Sequence, residues 1–259
     1  MVSPNKIGVS MLYCLSKPFA EMTSQIPCTG THLIEIVDEG LHSLNKRRVS
    51  ILKEMARSYE LTYTVHAPFA GINIAVPSDI VLHATIKRLK QSLANAAQLD
   101  CTLWVMHPAL RTGTSMFYPG EDWARNMENV RILAEYGEDH GVKVGLENGM
   151  DPFILKNVHD FQKFYEEADF NVKLVLDTGH ANLSNEVVRF ISEFPEKVAH
   201  VHAHDNKGKV DEHLPIGSGS INWVEFAEYI QKIQPEPNII IEAVDQVQES
   251  LRSLTKLLC

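Results

Sequence analysis

Three short stretches decide the fold: VKVGLE (142–147), KLVLD (173–177) and VAHVHA (198–203). Each is a β-rich apolar run that carries a carboxylate or an imidazole at or near its end, and the segment Val158 to Ala168 between the first two has helical period. Working outward, the same kind of run recurs at Ile7 to Tyr13, His32 to Val37, Leu61 to His66, Thr102 to His107 and Asn238 to Ala243, eight in all. Helical stretches separate them, among them Ser43 to Tyr59, Ser78 to Leu99 behind Pro77, and Trp123 to Asp139, which Gly141 stops. Eight strands alternating with helices in 259 residues predict a single (β/α)8 TIM barrel, since a doubly wound open sheet would need fewer strands. No linker rich in Pro, Gly or Ser divides the chain, and no G-x-G-x-x-G follows the first strand, so one domain is expected over residues 1–259 without a dinucleotide site.

Composition narrows the function. The chain is 44% apolar, which is ample for a core, and its 33 acids against 24 bases give a formal net charge of -9, so nothing marks a general binder of polyanions. Cys14, Cys28, Cys101 and Cys259 are widely spaced and form no C-x-x-C, which reads as reduced thiols in a cytoplasmic protein. No apolar run is long enough for a membrane span. The stretch Ile7 to Leu15 has one preceding base, Lys6, and no small-residue cleavage site, so it is read as a buried first strand rather than a leader. What composition leaves unexplained is twelve histidines.

In a TIM barrel the active site lies where the strands end, so the residue that closes each run is informative. The third run closes at His66 in VHAPF, the fourth at His107 in VMHP, the fifth at Glu147 in GLEN and the eighth at Glu242 in IIIE. The sixth closes at Asp177 with His180 just beyond, in LDTGH. The seventh reads HVHAHD (200–205), and the loop after it adds Asp211 and His213. Strand alternation puts Val175 with Asp177, and Ile240 with Glu242, on one face, which is the expected lumen. Four carboxylates converging there, Glu147, Asp177, Asp211 and Glu242, would repel by roughly 4 kcal/mol per pair at 4 Å and an effective dielectric near 20. Protons or cations must relieve this, and His66, His107, His180, His202 and His213 offer imidazole nitrogens, so a mixed N/O metal site is predicted. His32, His42, His83, His140 and His159 are read as surface or core histidines, and His200 and His204 as supporting the site or packing beneath it.

At these motifs the sequence resembles the xylose isomerase-like TIM-barrel superfamily, which includes sugar isomerases and epimerases and, in a related branch, endonuclease IV. The resemblance rests on HAPF (66–69), LDTGHAN (176–182), HDNKGKVDEHLPIGSG (204–219) and Ile241-Glu242, in that order along nearly the whole chain. In the sugar-transforming branch it implies one divalent ion, Zn, Mn, Co or Mg, held by Glu147, Asp177, His202 and Glu242, with His180 near the substrate. Endonuclease IV implies up to three zinc ions, and the sequence is similar at all the corresponding positions, His66, His107, Glu147, Asp177, His180, His202, Asp211, His213 and Glu242. The loops favour the sugar branch: the candidate face carries only Arg111, Lys156, Lys207 and Lys209, too few to neutralise a DNA backbone, and Ala67, Pro68 and Phe69 suit an apolar wall.

The expected activity is therefore a metal-dependent isomerase or epimerase of a sugar, inosose or sugar phosphate, acting through an enediolate with Glu147 and Glu242 as base and acid. His66, His107, His180 and, at the end of strand two, Glu35 are expected to contact substrate hydroxyls. Lys207 or Lys209 with Gly217, Ser218 and Gly219 would receive a phosphate if the substrate carries one. The alternatives are an abasic-site phosphodiesterase like endonuclease IV and a non-catalytic barrel that retains a metal. A homodimer is expected from base rates alone.

Overall fold

The computed structural model describes residues 1–259. Its eight strands are β1 (Ile7–Ser10), β2 (Leu33–Val37), β3 (Thr62–His66), β4 (Leu103–Met106), β5 (Lys143–Glu147), β6 (Lys173–Asp177), β7 (Val198–Ala203) and β8 (Asn238–Ile241). All pair in parallel, each with its sequence neighbour, and β1 closes on β8 through Ile7, Gly8 and Val9 opposite Ile239, Ile240 and Ile241. The expected barrel is therefore present. Its α-helices are α1 (Phe19–Gln25), α2 (Lys46–Tyr59), α3 (Asp79–Gln98), α4 (Glu121–Asp139), α5 (Val158–Glu167), α6 (Thr178–Asn182), α7 (Val187–Glu193), α8 (Trp223–Ile230) and α9 (Val247–Leu258). None is long and apolar enough to cross a membrane.

Most strand boundaries differ from the sequence reading by a residue or two, and three of the differences lie near the site. The first apolar run leaves the sheet after Ser10, because Met11–Cys14 coil into a 3-10 turn whose Leu12 amide donates to the Ser10 hydroxyl at 3.3 Å. β4 and β8 stop one residue before His107 and Glu242, although the Glu242 amide still donates to the Ala203 carbonyl at 3.0 Å. The side chains reach the barrel mouth either way.

Most of the core lies between the barrel and its helices, a cluster of 60 buried residues that includes Trp104, Phe161, Phe164 and Phe226. The lumen is different. Leu103, Val105 and Val175 form a separate apolar group there, and Gly145 makes room for it, since a Cβ at that position would sit 2.6 Å from Val175 Cγ2. Leu33 and Ile240 face the lumen too, across Gly8, and Glu35, Thr64 and His200 are enclosed among them. A register shift between β6 and β7 sets the phase: Leu174 faces Val198, but Val175 faces His200 and Asp177 faces His202. The extra residue on β7 turns both histidines towards the lumen in step with Asp177.

Candidate active site

The strand ends converge as the sequence predicted. Glu147, Asp177, His202 and Glu242 are all buried, and one donor atom from each lies within 4.8 Å of the others. His202 Nδ1 stands 3.3 Å from Glu147, 3.6 Å from Glu242 and 4.0 Å from Asp177. A second ring surrounds this group: His66 and His107 each bring Nε2 to 3.3 Å from Glu147 Oε2, while His180 and His213 bring Nε2 to 3.4 and 2.9 Å from Asp211 Oδ2.

Local structure fixes which nitrogen faces inward. Nδ1 of His66, His180 and His213 lies 2.8, 2.8 and 2.9 Å from the carbonyls of Ala67, Asn148 and Glu242, so Nδ1 carries the proton that each carbonyl accepts. Nε2 is then directed at carboxylate oxygen in all three. Such a contact is stable only with a second proton on the ring or a cation between the partners. Asp177 meanwhile caps α6, its Oδ1 accepting from the His180 amide at 2.7 Å, which is how the DTGH sequence aims His180 into the site.

The electrostatics follow from this crowding. Burial alone would drive the imidazoles neutral, but Glu147 brings His66 up to about 9, Asp177 and Asp211 bring His180 up to about 10, and Asp211 with Glu242 brings His213 up to about 9. His202, facing Glu242, Glu35 and Glu147, is held well above the ordinary range despite full burial. Glu147 and Asp177 are buried too, yet neighbouring imidazoles hold both carboxyls below their ordinary values. Imidazole nitrogens and carboxylates at these spacings, with Nδ1 protons already engaged, suit a borderline divalent ion such as zinc or manganese.

Above the ligands opens a cavity of about 360 Å³, within the range of small-molecule sites. His66, His107, Glu147, His180, Asp211, His213 and Glu242 form one side, and Leu12, Val37, Phe69, Met150 and Phe153 form the other. Phe69 and Phe153 pack against His66 and His107 at ring distances of 5.7 and 5.1 Å. No lysine or arginine lines it.

The sequence signature of the xylose isomerase-like TIM barrels matches residues 25–257. The chain belongs to that family. An uncharacterised protein of Methanocaldococcus jannaschii is 32% identical over 249 residues, covering 92% of this chain and 83% of its own length. The D-psicose 3-epimerase of Ruminiclostridium cellulolyticum is 26% identical over 223 residues, covering 82% and 74% of the two chains. A crystal structure of a D-tagatose 3-epimerase-like protein superposes with a TM-score of 0.89 at 29% identity, covering 97% of each chain.

In this xylose isomerase-like barrel two expected substrate contacts lie elsewhere. Glu35 does not reach the cavity: it is fully buried a layer below, where Oε2 accepts from the Thr64 hydroxyl at 2.9 Å and its two oxygens lie 3.0 Å from His200 Nε2 and His202 Nε2. Lys207 is exposed and lines neither the cavity nor the cleft beside it; Lys156 and Lys209 line that cleft, next to Met150, His180 and Asp211. The Gly-Ser-Gly turn offers no free anion site at its first residue, because the Gly217 amide donates to Asp205 at 3.1 Å. Asp205 also accepts from the Ile221 amide and the Trp223 indole, so it ties down the whole loop that carries Asp211 and His213.

Two residues belong to the site although sequence reasoning assigned them no definite part. His204 is fully buried, with Nε2 2.9 Å from Asp177 Oδ2 and its ring stacked 3.9 Å from His213. Its close packing against α6 explains Gly179, where a Cβ would lie 2.0 Å from His204 Cε1. Asn148 brackets Asp177, accepting from its amide at 2.7 Å and donating to its carbonyl at 3.1 Å. The signal was present as the polar residue that directly follows Glu147.

Proposed function

We propose that residues 1–259 act as one domain, a divalent-metal-dependent epimerase that inverts the carbon beside the carbonyl of an unphosphorylated ketose. The observation that carries this reading is the pairing of Glu147 and Glu242, which both reach the cavity and both stand among the four donors within 4.8 Å. Similarity to D-psicose and D-tagatose 3-epimerase-like proteins supports carbon 3 as the reacting centre.

Glu147, Asp177, His202 and Glu242 would hold the ion, whether zinc, manganese, cobalt or magnesium. Bound there, a divalent cation supplies Lewis acidity towards neighbouring carbonyl and hydroxyl oxygens of the sugar. Glu147 is the base in our assignment: its carboxyl, although buried, is held ionised by His202 and His107, and it takes the proton from carbon. Glu242, which enters the step protonated, reprotonates the resulting enediolate on its other face, so the configuration inverts, and exchange of the proton on Glu147 with solvent resets the pair. His180, His66 and His107 donate to substrate oxygens and keep the developing negative charge compensated. Phe69, Phe153 and the other apolar wall residues exclude water from the intermediate.

A neutral substrate suits the lining, which brings carboxylates and imidazoles but no lysine or arginine to a phosphate. The four unpaired cysteines suit a cytoplasmic protein. A second reading, a phosphodiesterase with several zinc ions, draws on the further donor groups His66–Glu147–His202 and His204–His213–Glu242. The test is to incubate the manganese-loaded protein with D-fructose, D-tagatose and D-psicose, with their 6-phosphates, and with DNA containing an abasic site. Interconversion of 3-epimers of a free ketose is expected. Metal-dependent nicking of the DNA without sugar turnover would establish the second reading instead.

A further inference from the structure

The barrel interior holds a polar group that the proposed chemistry does not use. Glu35 on β2, Thr64 on β3 and His200 on β7 sit at one level of the lumen, brought there by the Glu35–Thr64 pairing and by the register shift that turns His200 inward. Apolar side chains, among them Leu103, Val105, Val175, Leu33 and Ile240, share this interior with them. A carboxylate enclosed in a barrel core is costly unless it is paired on every side. Here Oε2 accepts from the Thr64 hydroxyl at 2.9 Å, and the two carboxylate oxygens lie 3.0 Å from His200 Nε2 and His202 Nε2 as ion-pair contacts.

We infer that Glu35, braced by Thr64 and His200, is a positioning residue that fixes the tautomer and ring plane of His202, so that Nδ1 is presented bare to a cation bound by Glu147, Asp177 and Glu242. His202 has two nitrogens and two carboxylate environments. With the proton on Nε2, it faces Glu35, and Nδ1 turns its lone pair to the cation-binding side, 3.3 Å from Glu147 and 3.6 Å from Glu242. The opposite tautomer would set the Nε2 lone pair against Glu35 and remove His202 as a ligand. A carboxylate behind a metal-binding histidine raises its basicity and holds its orientation, and loss of such a partner weakens metal binding by about 10–100-fold. The same geometry explains why Glu35 lies below the cavity rather than on its wall.

This inference rests on the reading of Glu147, Asp177, His202 and Glu242 as a metal site. It is tested by titrating Mn2+ into chelator-treated wild type and Glu35→Gln by calorimetry, recording the visible spectrum of the Co2+-loaded forms, and measuring thermal midpoints without metal. Glu35→Gln keeps the shape but removes the negative charge behind His202, leaving at most a neutral carbonyl oxygen to face it. Expected are a loss of about 10–100-fold in Mn2+ affinity and an altered Co2+ ligand-field spectrum, with a metal-free midpoint close to wild type. Wild-type affinity and an unchanged spectrum in the variant would overturn the relay while leaving the metal site standing. A wild type that takes up no divalent ion would overturn both. If Glu35→Gln does not fold, Glu35→Asp serves: it keeps the charge but draws it back from His202, and an affinity equal to wild type would overturn the relay equally.

Discussion

Raising the pH should destabilise the protein when it is stripped of divalent ions, and the site geometry sets the size of the effect. His66 and His213 are held up to about 9 and His180 up to about 10 by the carboxylates around them, against about 6.5 for an unfolded histidine. A folded-state value above the unfolded one stabilises fully below pH 6.5, and that contribution drains away as the pH climbs towards 9 to 10. The loss approaches 1.4 kcal/mol per pH unit for each proton that the folded state alone retains, or about 2 kcal/mol per histidine between pH 6.5 and 8.5. Because these histidines share Glu147 and Asp211, the total is smaller than the separate losses added, and a fall of roughly 3 kcal/mol is expected. Tyrosine of the unfolded chain stays protonated over this window, while the thiols of Cys14 and Cys101, pushed up by burial, add to the fall only near its top, where unfolded cysteine ionises at about 8.5. Urea unfolding of the chelator-treated protein at pH 6.5, 7.5 and 8.5, followed by fluorescence of its three tryptophans, measures it. Excess Mn2+ should reverse the trend, since a cation competes with those protons and binds better as they leave. A metal-free stability that stays flat or rises over the window would refute the claim that the carboxylates hold these imidazoles charged.

Glu242→Gln and Glu147→Gln should each reduce ketose turnover by about 10²–10⁴-fold, the usual size of a proton-transfer contribution, with an unchanged far-ultraviolet circular dichroism spectrum. Gly179→Ala drives a methyl group into His204, with 2.0 Å available where ordinary contact needs nearly twice that, and should cost about 1–3 kcal/mol in urea unfolding. Arg88→Met strips the bidentate partner from the fully buried Asp38, whose oxygens it meets at 2.7 and 3.0 Å. A loss of about 3 kcal/mol is expected by the same measurement, as for other buried ion pairs broken on one side.

The barrel was legible because parallel strands buried on both faces read as short apolar runs, and because their last inward residues break that pattern with Glu147, Asp177, His202 and Glu242. Depth was not legible. Alternation says which face a side chain takes but not its level, so Glu35 was read as a substrate contact at the end of strand two, whereas its level depends on how β2 is staggered against β3 and β7. That stagger is a property of the closed sheet. The same holds for His200 and His204, one below the site and one within it, though both are two residues from His202. Loop chemistry failed for a related reason. Lys207 and the Gly-Ser-Gly turn read as a phosphate site in sequence, whereas Asp205, through contacts with Gly217, Ile221 and Trp223, commits that loop to presenting Asp211 and His213.

Epimerisation by proton transfer leaves an isotopic record, so the most direct test is to run the reaction in heavy water. Manganese-loaded protein and a free ketohexose in D2O should give a product carrying one deuterium, at carbon 3, with the wash-in abolished in Glu242→Gln. Inversion without deuterium at carbon 3, or no exchange into any neutral ketose while the metal-loaded protein is folded, would contradict the assignment of Glu147 and Glu242 as the proton-transfer pair.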